Sequence, residues 1–157
     1  MGTFQDYLNF SDKEEYSQKQ LKIMDKITFS EETEKAVKSI NKEIKILCFA
    51  QVYCPDCRAI VPFMKKFSEI NNNIKVDYLL KENNEDLLKK LTDTVRIPTL
   101  VSEKDGKMTV FLLEFPNFIQ KEMKKDPDSY EEIKYNFRTG KYNREIEKEL
   151  SDYLTSL

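Results

Sequence analysis

Cys54 and Cys57, in the run Cys54-Pro55-Asp56-Cys57, are the residues of this chain whose type and spacing most readily do chemistry. Three chemistries compete for such a pair. A structural zinc site generally takes four Cys or His ligands, and the chain has no histidine and one further cysteine, Cys48. Two neighbouring thiols buried for packing alone are the bland alternative. Pro55-Asp56 between them argues instead for a helix entrance. Dithiol redox chemistry is the third reading, and the local sequence meets its requirements. At a helix N-terminus, unpaired backbone N–H groups and the helix dipole stabilise an anion, which makes Cys54 the candidate nucleophilic thiolate. Cys57, one turn further on, is within reach of a mixed disulfide formed on Cys54 and is the candidate resolving thiol.

The elements that must hold these thiols follow from the apolar patterning. Residues 43 to 52, EIKILCFAQV, are nearly continuously apolar and β-branched or aromatic after Lys45, as in a central strand covered on both faces. Residues 74 to 80, IKVDYLL, repeat that type, and the stretch from Pro55 to Asn71 is helical in pattern. Strand, helix, strand predicts a parallel unit with a right-handed crossover, and so an α/β fold. Ser30 ahead of Glu31 and Glu32 predicts a capped helix carrying Ala36, Val37 and Ile40. A short helix from Asn84 to Leu91, with Asn83 or Asn84 as its cap, precedes two strand-like runs around Asp105-Gly106, a strong hairpin signal. Residues 1–29 read as one or two helices, with Tyr16, Leu21, Met24 and Ile27 on the apolar face, and suggest no chemistry. From Pro116 the chain is helical and charged, with breaks at Asp126-Pro127-Asp128 and Gly140 and a last helical face of Ile146, Leu150, Tyr153 and Leu154.

With these elements in place, the chain resembles the thioredoxin family. The resemblance rests on Cys54-x-x-Cys57, on Pro62 inside the following helix, and on Ile97-Pro98-Thr99, at a family-like distance from Cys57. It covers residues 30–115. It implies a thioredoxin-like fold: a mixed β-sheet flanked by helices, one domain over 1–157, with 1–29 a helical extension and 116–157 a charged helical C-terminal part. It also implies a cis peptide before Pro98, with the Ile97 backbone pairing with an extended substrate as an added strand. By the same resemblance Tyr53, Pro55, Asp56, Ile97 and Pro98 form the substrate surface. Three departures stand out: Tyr53 replaces the usual Trp, Pro55-Asp56 replaces Gly-Pro, and Cys48 falls where many family members carry a buried Asp. The plain reading of Cys48 is a small apolar residue on a central strand.

The implied activity is thiol–disulfide exchange on a protein or small-molecule disulfide. Electrons would come from a flavoprotein reductase or a low-molecular-weight thiol, and no cofactor is expected beyond the dithiol. The alternative is a thioredoxin-like interaction or sensing module, suggested by the aromatic residues Phe111, Phe115, Phe118, Tyr130, Tyr135, Phe137 and Tyr142 in the second half. Lys and Arg number 26 against 28 Asp and Glu, a net charge of -2 with no basic stripe, which argues against nucleic acid as a partner. No apolar run approaches the ~18 residues of a membrane span, and the N-terminus lacks a signal-peptide pattern, so a cytoplasmic location is expected. Asp56 is expected to be solvent-exposed and to repel a thiolate on Cys54, with Arg58, also exposed, offsetting part of that repulsion.

Overall fold

The computed structural model describes residues 1–157. Four strands, β1 (Ile44–Phe49), β2 (Ile74–Leu79), β3 (Thr99–Lys104) and β4 (Lys107–Leu113), form one mixed sheet in the order β2-β1-β3-β4. β1 and β2 are parallel, with Ile44 opposite Ile74 and Phe49 opposite Leu79; β1 and β3 are antiparallel, with Phe49 opposite Thr99. The parallel pair needs a crossover, and α4 (Pro55–Ile70) provides it. Period-2 alternation explains the apolar run of β1. Ile44, Ile46 and Cys48 face the main core beneath α4, whereas Leu47 and Phe49 face a smaller cluster with Leu88 of α5 (Glu85–Thr92) and Val101 of β3.

β1 ends at Phe49, three residues short of the expected strand. The backbone turns there because the Cys54 N–H closes onto Gln51 O at 3.0 Å, which converts residues 51–54 into a turn that feeds α4. The hairpin turn has both central residues at positive φ, Asp105 at 54° and Gly106 at 78°, the primed geometry that matches strand twist. Asn84 stands at the head of α5, but its side chain does not cap it; the amide turns back to Leu80 O at 2.7 Å.

The terminal regions pack into the main core. α1 (Phe4–Leu8) opens with a capping box between Thr3 and Asp6 and buries Tyr7 and Leu8; α2 (Glu14–Asp25) packs on α4. Leu21, expected on the apolar face of α2, is exposed, and Gln20 is buried in its place. The exchange is stable because Gln20 is satisfied at both ends, accepting from Tyr7 Oη at 2.6 Å and donating to Arg58 O at 3.1 Å. α3 (Glu31–Lys38) is capped by Ser30 as expected. Its entrance is held from the C-terminal helix α8 (Asn143–Thr155), where buried Glu147 accepts from Ser30 N, Ser30 Oγ and Thr33 Oγ1.

After β4 the chain forms α6 (Asn117–Lys125), a single 3₁₀ turn at Pro127–Ser129 and α7 (Tyr130–Arg138). α7 stops at Gly140, φ 90°, with Gly140 N donating to Phe137 O and Lys141 N to Asn136 O. That paired arrangement needs the left-handed conformation that glycine adopts freely, and it fixes Arg138 in the last helical turn. The aromatics of this half pack mostly inward. Phe115 meets Phe137 edge-on at 5.4 Å and Phe111 stacks on Tyr153 at 4.3 Å, while Tyr135 is 67 % exposed. No helix is long and apolar enough to cross a membrane.

Candidate active site

The thiols lie where the sheet hands the chain to α4. Cys54 is the N-cap residue, with extended backbone (φ -83°, ψ 119°), and Pro55 is the first helical residue, its missing N–H being one the helix could not have used. Cys54 O accepts from Arg58 N at 3.0 Å, the first intrahelical bond. All three cysteines are free thiols; Cys54 is half-buried, and Cys57 and Cys48 are buried.

Burial and hydrogen bonding split the thiols sharply. Cys54 is lowered to about 7 from an ordinary 9.0, chiefly because the Cys57 thiol hydrogen-bonds to it, with further help from the backbone N–H groups of Cys57 and Asp56. Burial and the Asp56 charge act against these bonds without overcoming them. Cys57 is held well above 9.0, first by burial and then by its bond to Cys54 and that thiolate's charge. Cys48 is pushed up to about 12 by burial alone, in keeping with an apolar core role. No group of three or more Cys, Asp or Glu side chains is arranged to hold a metal ion.

The Ile97–Pro98 peptide is cis. Because Phe49 pairs with Thr99, Pro98 leaves the sheet at the same end as the loop to Cys54. Pro98 is buried and its carbonyl accepts from Glu114 N at 2.7 Å, while Ile97 remains half-buried. Tyr53 is 44 % exposed, its hydroxyl held by Gln51 Nε2 at 2.8 Å. Tyr53, Pro55 and Ile97 each keep accessible surface.

Asp56 does not belong to that surface. It is buried, and its two oxygens accept from Arg138 of α7, Oδ1 from Nε at 2.7 Å and Oδ2 from Nη2 at 3.2 Å. The expectation of an exposed Asp56 fails because a full guanidinium partner makes burial of the carboxylate tolerable. The expectation for Arg58 fails in the same way: it is buried, donates from Nη1 to Val52 O at 2.8 Å and lies 5.4 Å above the Tyr16 ring.

Two neighbours of the dithiol escaped the sequence reading. Arg138 lies 82 positions from Asp56, and only the presence of a carboxylate between two thiols hinted that a cation was needed. Tyr7 is buried beside the thiols. Its hydroxyl is pushed well above 10.0, by burial first and then by the negative charge that Cys57, Cys48 and Cys54 can carry. Nothing in residues 1–29 signals that contact.

The family model described as thioredoxin matches residues 1–136. The chain belongs to the thioredoxin family. The match begins at residue 1, so it takes in the N-terminal helices, which lie outside the 30–115 stretch that carries the resemblance in sequence. Among solved structures, a protein of unknown function from Pseudomonas aeruginosa is similar with a TM-score of 0.78 at 15% identity, covering 98% of this chain and 89% of that one. An HIV epitope scaffold is similar with a TM-score of 0.75, also at 15% identity, over 98% of this chain and 90% of its own. Both show the thioredoxin-like fold shared at low identity. No curated protein matches the chain.

Proposed function

We propose that this thioredoxin-family chain is a thiol–disulfide oxidoreductase that reduces protein or small-molecule disulfides through Cys54 and Cys57. The observation that carries the proposal is the asymmetry of the pair: a half-exposed Cys54 lowered to about 7 at the head of α4, and a buried Cys57 held far above it. Cys54 thiolate attacks one sulfur of a substrate disulfide and the other sulfur departs as a thiolate. Cys57 then loses its proton and attacks Cys54 Sγ, which releases the second substrate sulfur and leaves Cys54–Cys57 oxidised. Two electrons pass to the substrate, and its two thiolates take up protons. Tyr53, Pro55 and the Ile97–Pro98 loop form the surface on which an extended substrate lies. The dithiol itself carries the electrons. A flavoprotein reductase or a low-molecular-weight thiol restores it, and a reducing cytoplasm is the setting in which this direction is useful.

The test is reduction of insulin disulfides by the full chain with dithiothreitol as donor. Cys54→Ser abolishes turnover, and Cys57→Ser accumulates substrate disulfide-bonded to Cys54, identified by mass spectrometry. An adduct on Cys57 or Cys48 instead would reverse the assigned roles, and wild-type turnover in Cys54→Ser would end the proposal.

A further inference from the structure

One ion pair at the dithiol joins a residue inside the motif, Asp56, to one far outside it, Arg138. Asp56 sits in the first turn of α4 with its side chain only 10% exposed, so a carboxylate is buried one residue from Pro55 and between the two thiols. A thiolate forming on Cys54 then meets a second negative charge in a poorly hydrated setting, which disfavours it. Arg138 answers that charge with a two-pronged bond to both carboxylate oxygens. The guanidinium makes no other hydrogen bond within the protein. It is delivered there by α7, whose packing on α4 and stop at Gly140 fix the position of its last turn. The electrostatic neighbourhood agrees with the geometry. Arg138 is raised chiefly by its hydrogen bond to Asp56, with Cys54 and Glu131 among its negative neighbours. Glu114, raised chiefly by burial, senses Arg96, Asp56, Lys134 and Arg138.

We propose that Arg138 is a positioning residue for the dithiol: it holds and neutralises the Asp56 carboxylate lying between the two cysteines, and thereby sets how readily Cys54 forms a thiolate. The assignment rests on the dithiol reading of the site. It goes beyond the family match, which ends at residue 136, two positions before Arg138. It also gives the C-terminal helical part a task at the site. α7 supplies the counter-charge that lets an acidic residue stand inside the motif without suppressing the nucleophile.

The test is the pH dependence of Cys54 alkylation by iodoacetamide in the full chain, read at Cys54 by mass spectrometry. This titration reports the local charge whether or not the pair turns over a disulfide, so its failure and failure of the proposed activity are distinguishable. Arg138→Gln leaves the carboxylate facing Cys54 unneutralised and raises the midpoint by about one pH unit. Asp56→Asn leaves the guanidinium facing Cys54 and lowers it by about one unit. The double variant returns near wild type, because it removes a neutral pair. A pair that merely braces the helix entrance predicts an upward shift in both single variants, since loosening either partner frays the N–H groups that stabilise the thiolate. Both singles moving upward, or Arg138→Gln staying folded with an unchanged midpoint, overturns the proposal. Should Arg138→Gln fail to fold with its unpaired buried carboxylate, the comparison of Asp56→Asn with the double variant still isolates the Arg138 charge. The double must then titrate higher than Asp56→Asn, and equal midpoints overturn the assignment.

Discussion

Replacing Cys57 by Ala separates the two devices that stabilise Cys54. The helix entrance supplies backbone N–H groups from Asp56 and Cys57, and the buried Cys57 thiol supplies a side-chain hydrogen bond, the largest of the effects that lower Cys54 from 9.0 to about 7. Cys57→Ala removes the side-chain donor and keeps every backbone donor. The Cys54 midpoint then rises by about one pH unit, and its thiolate fraction at pH 7 falls from about one half to about one tenth. Iodoacetamide alkylation at pH 7 slows by up to about fivefold, whereas the rate well above pH 9, where both proteins are largely ionised, does not fall below wild type. Cys57→Ser retains an O–H donor in the same place and titrates nearer wild type than Cys57→Ala. The assay is the alkylation rate at Cys54 from pH 5 to 10, followed by mass spectrometry. Coincident curves for wild type and Cys57→Ala would refute the reasoning, because the backbone groups and the helix dipole would then account for the whole shift.

Two further predictions concern the elements behind the site. Tyr7→Phe keeps the ring packing on Phe4 and Tyr78 but deprives buried Gln20 Oε1 of its donor, at a cost of about 1–3 kcal/mol in urea unfolding; an unchanged midpoint shows that the amide finds another partner. Glu147 faces burial that would raise its carboxyl, but hydrogen bonds from Thr33 and Ser30 and the Arg144 charge outweigh it and hold the group below its ordinary 4.5. The stability it contributes is therefore present above its unfolded value and is lost as pH falls through its lowered folded value. Thermal melts of Glu147→Gln should fall less steeply with acid than wild type, and parallel curves would exclude this carboxylate as a source of acid sensitivity.

The parts of the fold that were legible in the sequence are those that local chemistry determines. Ser30 caps α3, Asp105-Gly106 turns the hairpin, and the apolar run of β1 is buried on both faces because a central strand has no solvent side. Cys54 at the N-cap and Cys57 one turn on were legible for the same reason, since helix geometry alone separates their environments. What was not legible depends on distant partners. Asp56 and Arg58 read as exposed because charged residues in a first turn usually are. The Arg138 fork and the Val52 carbonyl reverse that, and neither pairing leaves a trace in local patterning. Gln20 in place of Leu21 on the buried face of α2 fails the apolar periodicity for a related reason: its amide is matched by Tyr7 and by the Arg58 carbonyl, partners from two other elements.

The value of about 7 at Cys54 also bears on the direction in which such a pair would pass electrons. Ionisation stabilises the reduced state because only the free thiol can lose a proton. With a midpoint near the ambient pH, that stabilisation at pH 7 is a factor of about 2, or about 9 mV for a two-electron couple. A midpoint two units lower would give a factor of about 100 and about 60 mV, and would turn the pair toward oxidation. With Cys54 as the nucleophile, such a midpoint would supply about half of the protein as thiolate at neutral pH with almost no shift of the potential toward oxidation. A thiol that titrates near the ambient pH is also the most effective attacker, because intrinsic nucleophilicity falls as the midpoint falls. The Asp56–Arg138 pair fits that balance. By the same arithmetic, an unopposed Asp56 would leave less thiolate at pH 7, and an unopposed Arg138, with the midpoint about one unit lower, would shift the potential about 20 mV toward oxidation. On the proposed reading, the neutral pair would leave the helix entrance and the Cys57 thiol as the main groups that lower Cys54, as a donor of electrons would require.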